Sequence, residues 1–243
     1  AAFNGISMLK NFRDDYALRI ESHGLGKTLA KLCQQYPLTV KKLVMAANEW
    51  PPFIGRSLPG LGFSVELISQ VLTKAGYEVS MAFAPWRKVG KGMQQGKYDI
   101  SVAAWSNADR QKQLMFSDPY YHNQLVVVSA SQTINTLDAF QKALLTDKKS
   151  LGLMEDYAYE QLIPTGSRIS YHQHYGPLLR KLASEELDMA LLDGDVARYF
   201  LHSMTSLKNR LRVPTTTLHS RSLHFTMLKD HPAAQTVILD FNR

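Results

Sequence analysis

"GKYDISVAAWSNADRQKQLMFSDPYY", residues 96–121, is the stretch on which the reading of this chain turns. Its first half, "YDISVAAW", is apolar enough for a buried strand. Asp109, Arg110 and Lys112 then crowd into a short polar turn, which "FSDPYY" closes with aromatic rings around Pro119. An arginine placed between a strand end and an aromatic turn has two readings. It is a solvated charge paired with Asp109 or Asp118, or it is a group that holds something. A guanidinium is a rigid planar fork that matches two carboxylate oxygens, which a lysine cannot do.

Outward from that stretch the periodicity alternates. "KLVMAAN" (42–48) reads as a buried strand. "GFSVELISQVLTKAGY" (62–77) puts Phe63, Leu67, Ile68, Val71, Leu72 and Ala75 on one helical stripe, ended by Gly76. "YEVSMAF" returns to strand and "WRKVGKGMQQG" to a short helix. "NQLVVVSAS" (123–131) is a long strand leaving this first unit. A second alternation follows: helix in "TLDAFQKALL", strand in "SLGLM", helix in "DYAYEQLI", strand in "RISYH", helix in "YGPLLRKLASEE", strand in "LDMALLD" and helix in "GDVARYFLHSM". After "LRVPTTTLHS" come a strand, "SLHFTMLK", and a terminal helix from Pro232. This is an α/β chain of two units with a ligand cleft expected between them.

Composition narrows the function. Of 243 residues, 45% are hydrophobic and 20% charged, which is ordinary for a globular protein. The longest apolar runs, "LVMAA" and "LVVVSA", are strand-sized, far from the roughly 18 residues a membrane helix needs. The net charge of +7 is spread along the chain and not concentrated in a block, so it speaks for solubility and not for nucleic acid. Cys33 is the single cysteine, so the chain has no internal disulfide and no thiolate-rich zinc site. The start, "AAFNGISMLKNFRDDY", has acids where a signal peptide has an apolar core.

Three motifs fail on inspection. "GLGKT" (24–28) lacks the first glycine of a phosphate loop, since position 21 is Glu21, and no strand precedes it. His172 and His174 in "YHQHY" share a strand face but have no third metal ligand in view. There is no Gly-x-Ser-x-Gly elbow for a hydrolase. No catalytic residue, metal site or cofactor is therefore expected.

"GLGFSVELI", "GKYDISVAAWSNADRQKQLMFSDPYY" and "LDMALLDGDVARYF", in this order and spacing, resemble the bacterial extracellular solute-binding proteins of the polar amino-acid type, from about Lys42 to Arg243. The resemblance implies a type II periplasmic-binding-protein fold: two α/β lobes, a two-strand hinge and an interlobe cleft. Lobe 1 would comprise 41–129 with 215–243, and lobe 2 would be 130–214. In the family, the arginine ahead of the "FSxPYY" turn pairs with the ligand carboxylate, and the matching residue is Arg110. Ser106 is the nearest hydroxyl to assist, where relatives carry a threonine at about Asn107 or Ala108. Trp50, in "NEWPPF", and Trp86, in "FAPW", match aromatic walls at strand ends, where α/β units bind ligands. Asp193 matches the acid that accepts an α-ammonium, leaving Asp195 to face solvent or cap the following helix. In lobe 2, "EDYAYE" replaces the usual glycine-threonine turn, with Tyr157 as the contact. Phe53, Ala104, Trp105, Asn107, Asp156 and Tyr159 are weaker candidates.

Residues 1–40 stand outside the alternation. "ISMLKNFRDDYALRI" and "LGKTLAKLCQQY" read as two helices, resembling the tail of an upstream flytrap unit while the chain's own tail is missing after "DFNR". That pattern implies a tandem, or a swapped flytrap partner; the alternative is a family-specific helical extension. It favours the periplasmic sensory ectodomain of a membrane signalling protein, anchored by spans outside this chain. The alternatives are the solute-binding component of an amino-acid ABC transporter serving a permease, a ligand-free structural flytrap, and a cyclohexadienyl dehydratase-like lyase on the same fold. No acid/base pair marks the last.

Overall fold

The computed structural model describes residues 41–131, 133–155, 157–159 and 162–243. The expected helices of residues 1–40, including Cys33, lie outside that range. Nine strands form one sheet among the described residues: β1 (Lys41–Ala47), β2 (Tyr77–Phe83), β3 (Ile100–Trp105), β4 (Leu114–Phe116), β5 (Tyr121–Val128), β6 (Ser150–Met154), β7 (Arg168–His172), β8 (Met189–Asp193) and β9 (His219–Leu228). Their order is β2-β1-β3-β9-β5-β8-β6-β7, with β4 paired to β9. β1 is parallel to β2 and β3, and β6 to β7 and β8. Each parallel set is one α/β lobe, as the alternation predicts.

The middle of the sheet is antiparallel, and this is where the lobes join. β5 pairs with β9 through Tyr121–Leu125 and with β8 through Leu125–Val128. The returning chain runs beside it: Arg212 N–H donates to the Ser129 carbonyl and Leu218 N–H to that of Leu125, both at 2.8 Å. Two crossings side by side make the two-strand hinge.

Helices cover the sheet: α1 (Phe63–Lys74), α2 (Trp86–Gln94), α3 (Ala108–Gln113), α4 (Leu137–Leu145), α5 (Tyr175–Ala183), α6 (Gly194–Ser203), α7 (Thr205–Lys208) and α8 (Ala234–Asn242). Their ends follow local chemistry. Thr136 caps α4 by accepting from Ala139 N–H, and Asn107 caps α3 by accepting from Arg110 N–H. Gly62 precedes α1 at φ 102°, and a Cβ there would lie 2.5 Å from the Phe53 carbonyl oxygen, so only glycine fits.

Three expectations change. The buried residues of α1 are Ser64, Val65, Ile68 and Leu72, so the expected stripe holds at Ile68 and Leu72 but not at Phe63. Phe63 is 44% exposed because, in the first turn, it leans on the rings of Phe53 and Tyr121. The described part of "DYAYEQLI" is irregular, not helical. Tyr159 there is buried and donates its hydroxyl to the Leu191 carbonyl, so a tertiary bond outweighs local propensity. β4 is an extra strand, stitched antiparallel to β9 through Leu114, Met115 and Phe116.

Candidate functional site

The first wall of the site grows from the carboxyl ends of β1, β2 and β3. Beyond β1, Trp50 bridges to Ile54, tilts over Phe53 at 4.7 Å between ring centroids, and meets Trp105 edge-on at 6.2 Å. Beyond β2, Pro85 leads into α2, whose first residue is Trp86. Beyond β3, Arg110 sits in the first turn of α3. Its Nη1 donates to the Trp105 carbonyl at 2.8 Å, and its guanidinium carbon lies 5.1 Å from the Trp86 ring. A cation over a tryptophan face is held by the ring quadrupole. Strand end, cap and ring thus fix the direction of one guanidinium.

The second wall comes from β6, the start of α5, and α6. Met154 ends β6 and Glu155 follows it, Tyr157 lies two residues on, and Tyr175 opens α5 stacked on Phe200 of α6 at 4.8 Å. Between the walls lies a cleft of about 1060 Å³, at the upper end of the roughly 300–1,000 Å³ common for small-molecule sites.

Side chains reach across it. Trp50 Nε1–H donates to the Tyr175 hydroxyl at 3.1 Å, and the Tyr157 and Tyr175 hydroxyls bond each other. The Tyr157 ring meets Trp105 edge-on at 4.9 Å. At the rim, Arg87 pairs with Glu155 at 3.5 Å, and Arg56 with Glu49 at 3.3 Å. Lower down, Tyr121 donates its hydroxyl to Asp195 Oδ2 at 2.7 Å, linking β5 to α6.

Burial pushes the hydroxyls of Tyr157, Tyr159 and Tyr175 upward, so all three keep their protons at neutral pH. Asp193 is fully buried, and its carboxyl is pushed up to about 6, chiefly by desolvation, with a smaller push from Asp195. Its Oδ1 caps α6 by accepting from Val196 N–H at 2.9 Å. Its Oδ2 and the nearby Asn123 Nδ2 are both buried without a properly aligned partner, although the Asn123 amide helps to hold the carboxyl down.

The structure brings six of the expected site residues to one cleft: Trp50, Trp86, Ala104, Trp105, Arg110 and Tyr157. Five others do not line it. Phe53 lies under Trp50, Ser106 accepts from Gln111 at 2.7 Å, and Asn107 caps α3. Tyr159 is bonded to Leu191, and Asp193 caps α6, the role expected of Asp195. Asp156 lies outside the described residues. Glu49, Arg87, Glu155 and Tyr175 also line the cleft and were not singled out. Each directly neighbours a flagged residue or follows a strand end, so the strand-end rule applied to every strand finds them.

Two α/β lobes joined through one sheet, with their walls facing a large cleft, make the architecture of a periplasmic binding protein. The chain belongs to the bacterial extracellular solute-binding proteins, family 3, whose sequence profile matches residues 43–238. The arginine-binding extracellular protein ArtP of Bacillus subtilis is 25% identical over 173 residues, which are 69% of this chain and 67% of ArtP. Among solved structures, holo ArgBP from T. maritima superposes with a TM-score of 0.65 at 17% identity, over 83% of this chain and 87% of that one. The BvgS VFT2 domain of Bordetella pertussis gives 0.68 at 16% identity, over 88% and 90%. No described helix is long and apolar enough to cross a membrane.

Proposed function

We propose that this chain is a non-catalytic, extracytoplasmic binding domain for a small polar, amino-acid-like solute held by closure of its two lobes. One observation carries the reading: Arg110, fixed by the Trp105 carbonyl and the Trp86 ring, lines an aromatic cleft whose far wall belongs to the other lobe. Such a guanidinium suits a carboxylate. The lobes are taken as 41–129 with 215–243, and 130–214. The similarity to ArtP, an arginine-binding extracellular protein, supports an amino-acid-like ligand.

In the cell the domain serves as the periplasmic sensory ectodomain of a membrane signalling protein, its closure being the signal. The helical pattern of residues 1–40, resembling the tail of a preceding unit, supports that role. A transporter's solute-binding component is the second reading, and the resemblance to ArtP, an arginine-binding extracellular protein, favours it. Titration calorimetry with L-arginine, L-histidine, L-glutamine and L-glutamate tests the binding claim. Saturable 1:1 binding of at least one is expected, and no binding by any of them contradicts it. A membrane span and output domain in the full-length sequence would establish the sensor, and their absence the transporter component.

A further inference from the structure

Trp50, Tyr157 and Tyr175 together hold three polar hydrogens: one on the indole nitrogen and one on each hydroxyl. They make two hydrogen bonds among themselves, Trp50 to Tyr175 and one between the hydroxyls. Whichever tyrosine donates in the second bond, the hydrogen of the other is left over. Among the described residues neither hydroxyl has another hydrogen-bond partner, and both residues line the cleft. Three donors into two bonds leave one donor for a guest.

We propose that Tyr157 and Tyr175 form an oxygen-acceptor subsite, in which the second lobe donates a hydroxyl hydrogen to a carboxylate or carboxamide oxygen of the solute. The site would thus grip its ligand's oxygens from both walls, since Arg110 and Tyr157 both lie against Trp105, one on its carbonyl and the other on its ring. Three further features bear on it. Tyr175 is the first residue of α5, which has no side-chain cap, so the positive end of that helix opens on the same cleft. The hydrogen bond from Trp50 polarises the pair and strengthens the remaining donor. The charge of Asp193 is felt by both hydroxyls and opposes a bare anion, but its Oδ2 takes no hydrogen bond from either tyrosine.

The subsite rests on the cleft being the solute site, yet it can fail separately. Fluorine NMR of the protein carrying 3-fluorotyrosine follows the hydroxyls directly. Single Tyr157→Phe and Tyr175→Phe variants identify the two resonances among the eleven tyrosines. Acetate, acetamide and ethylammonium are the probes. Acetate, acetamide or both should move these two resonances saturably, and ethylammonium, which offers no acceptor, should not. Acetate alone would assign the oxygen to a carboxylate; acetamide moving them as well would admit a carboxamide.

Each single variant still keeps one hydroxyl hydrogen. Its remaining resonance should therefore respond with a half-saturating concentration raised by less than about 10-fold. Two resonances unmoved by both acceptors, or moved equally by ethylammonium, would overturn the subsite. If amino acids bind while the resonances ignore the acceptors, the subsite fails and the binding role stands. If the acceptors move them while no amino acid binds, the reverse holds.

Discussion

The two walls of the cleft are made from different kinds of sequence. On the first, the contacts described for Arg110 lie within 24 residues of it: the Asn107 cap, the Trp105 carbonyl and the Trp86 ring. On the second, Tyr157 and Tyr175 come from separate segments and are oriented by each other and by Trp50, 125 residues before Tyr175. A wall built from one strand end and the next helical turn leaves a contiguous pattern in the sequence. A wall built from tertiary contacts leaves only residue types, whose meaning appears once the chain is folded.

That contrast should be sharpest in Arg110→Ala. Losing a desolvated charge partner should weaken ligand binding by about 2–5 kcal/mol, or roughly 30-fold and more. Arg110→Lys should lose much of it too, since a point charge makes no fork. Calorimetric titration measures both, and unchanged affinity in Arg110→Ala would remove the first wall from the site.

The second wall has its own signature in pH. The carboxyl of Asp193 is raised to about 6 in the fold, against about 3.9 in an unfolded chain. Raising an acid's pKa favours its neutral form in the folded state. Its contribution to stability is therefore full below about pH 4 and lost as pH rises through about 6, on the order of 3 kcal/mol. Thermal melts of the wild type should fall over that window relative to Asp193→Asn, which keeps the Oδ1 cap but cannot ionise. Parallel pH profiles for the two proteins would show that Asp193 does not titrate as described.

Smaller effects test the contacts between the walls. Trp50→Phe keeps most of the ring but removes the N–H to Tyr175, and should cost about 1 kcal/mol of stability. It should also reduce the change in tryptophan fluorescence on ligand binding. If neither this variant nor Trp86→Phe alters that change, the aromatic walls do not face the ligand. Glu155→Gln should be the mildest, at less than about 1 kcal/mol, because its partner Arg87 is 74% exposed and rim pairs are screened. A larger loss would mean that the pair latches the lobes.

The same contrast explains what was legible in the sequence. The α/β alternation and the hinge strand in "NQLVVVSAS" follow from periodicity, Trp50 and Trp86 from strand-end logic, and Arg110 from the family resemblance of its motif. The stripe of α1 holds at Ile68 and Leu72 but misses at Phe63, which, apolar and correctly spaced, leans on Phe53 and Tyr121 at a helix end instead of facing the core. "DYAYEQLI" read as a helix because no local signal records that Tyr159 bonds the carbonyl of Leu191, 32 residues away. Asp193 and Asp195 look interchangeable in "LDGD". Only the geometry of β8 meeting α6 makes the first the buried cap and the second the partner of Tyr121 and Arg198.

The most direct measurement is a crystal structure of the protein grown with the tightest-binding amino acid from the calorimetric panel. The account predicts that ligand between the two walls, its carboxylate on Arg110, its body against Trp50 and Trp86, and an oxygen within hydrogen-bond reach of Tyr157 or Tyr175. A ligand bound elsewhere, or one in the cleft that makes no contact with Arg110, would contradict it.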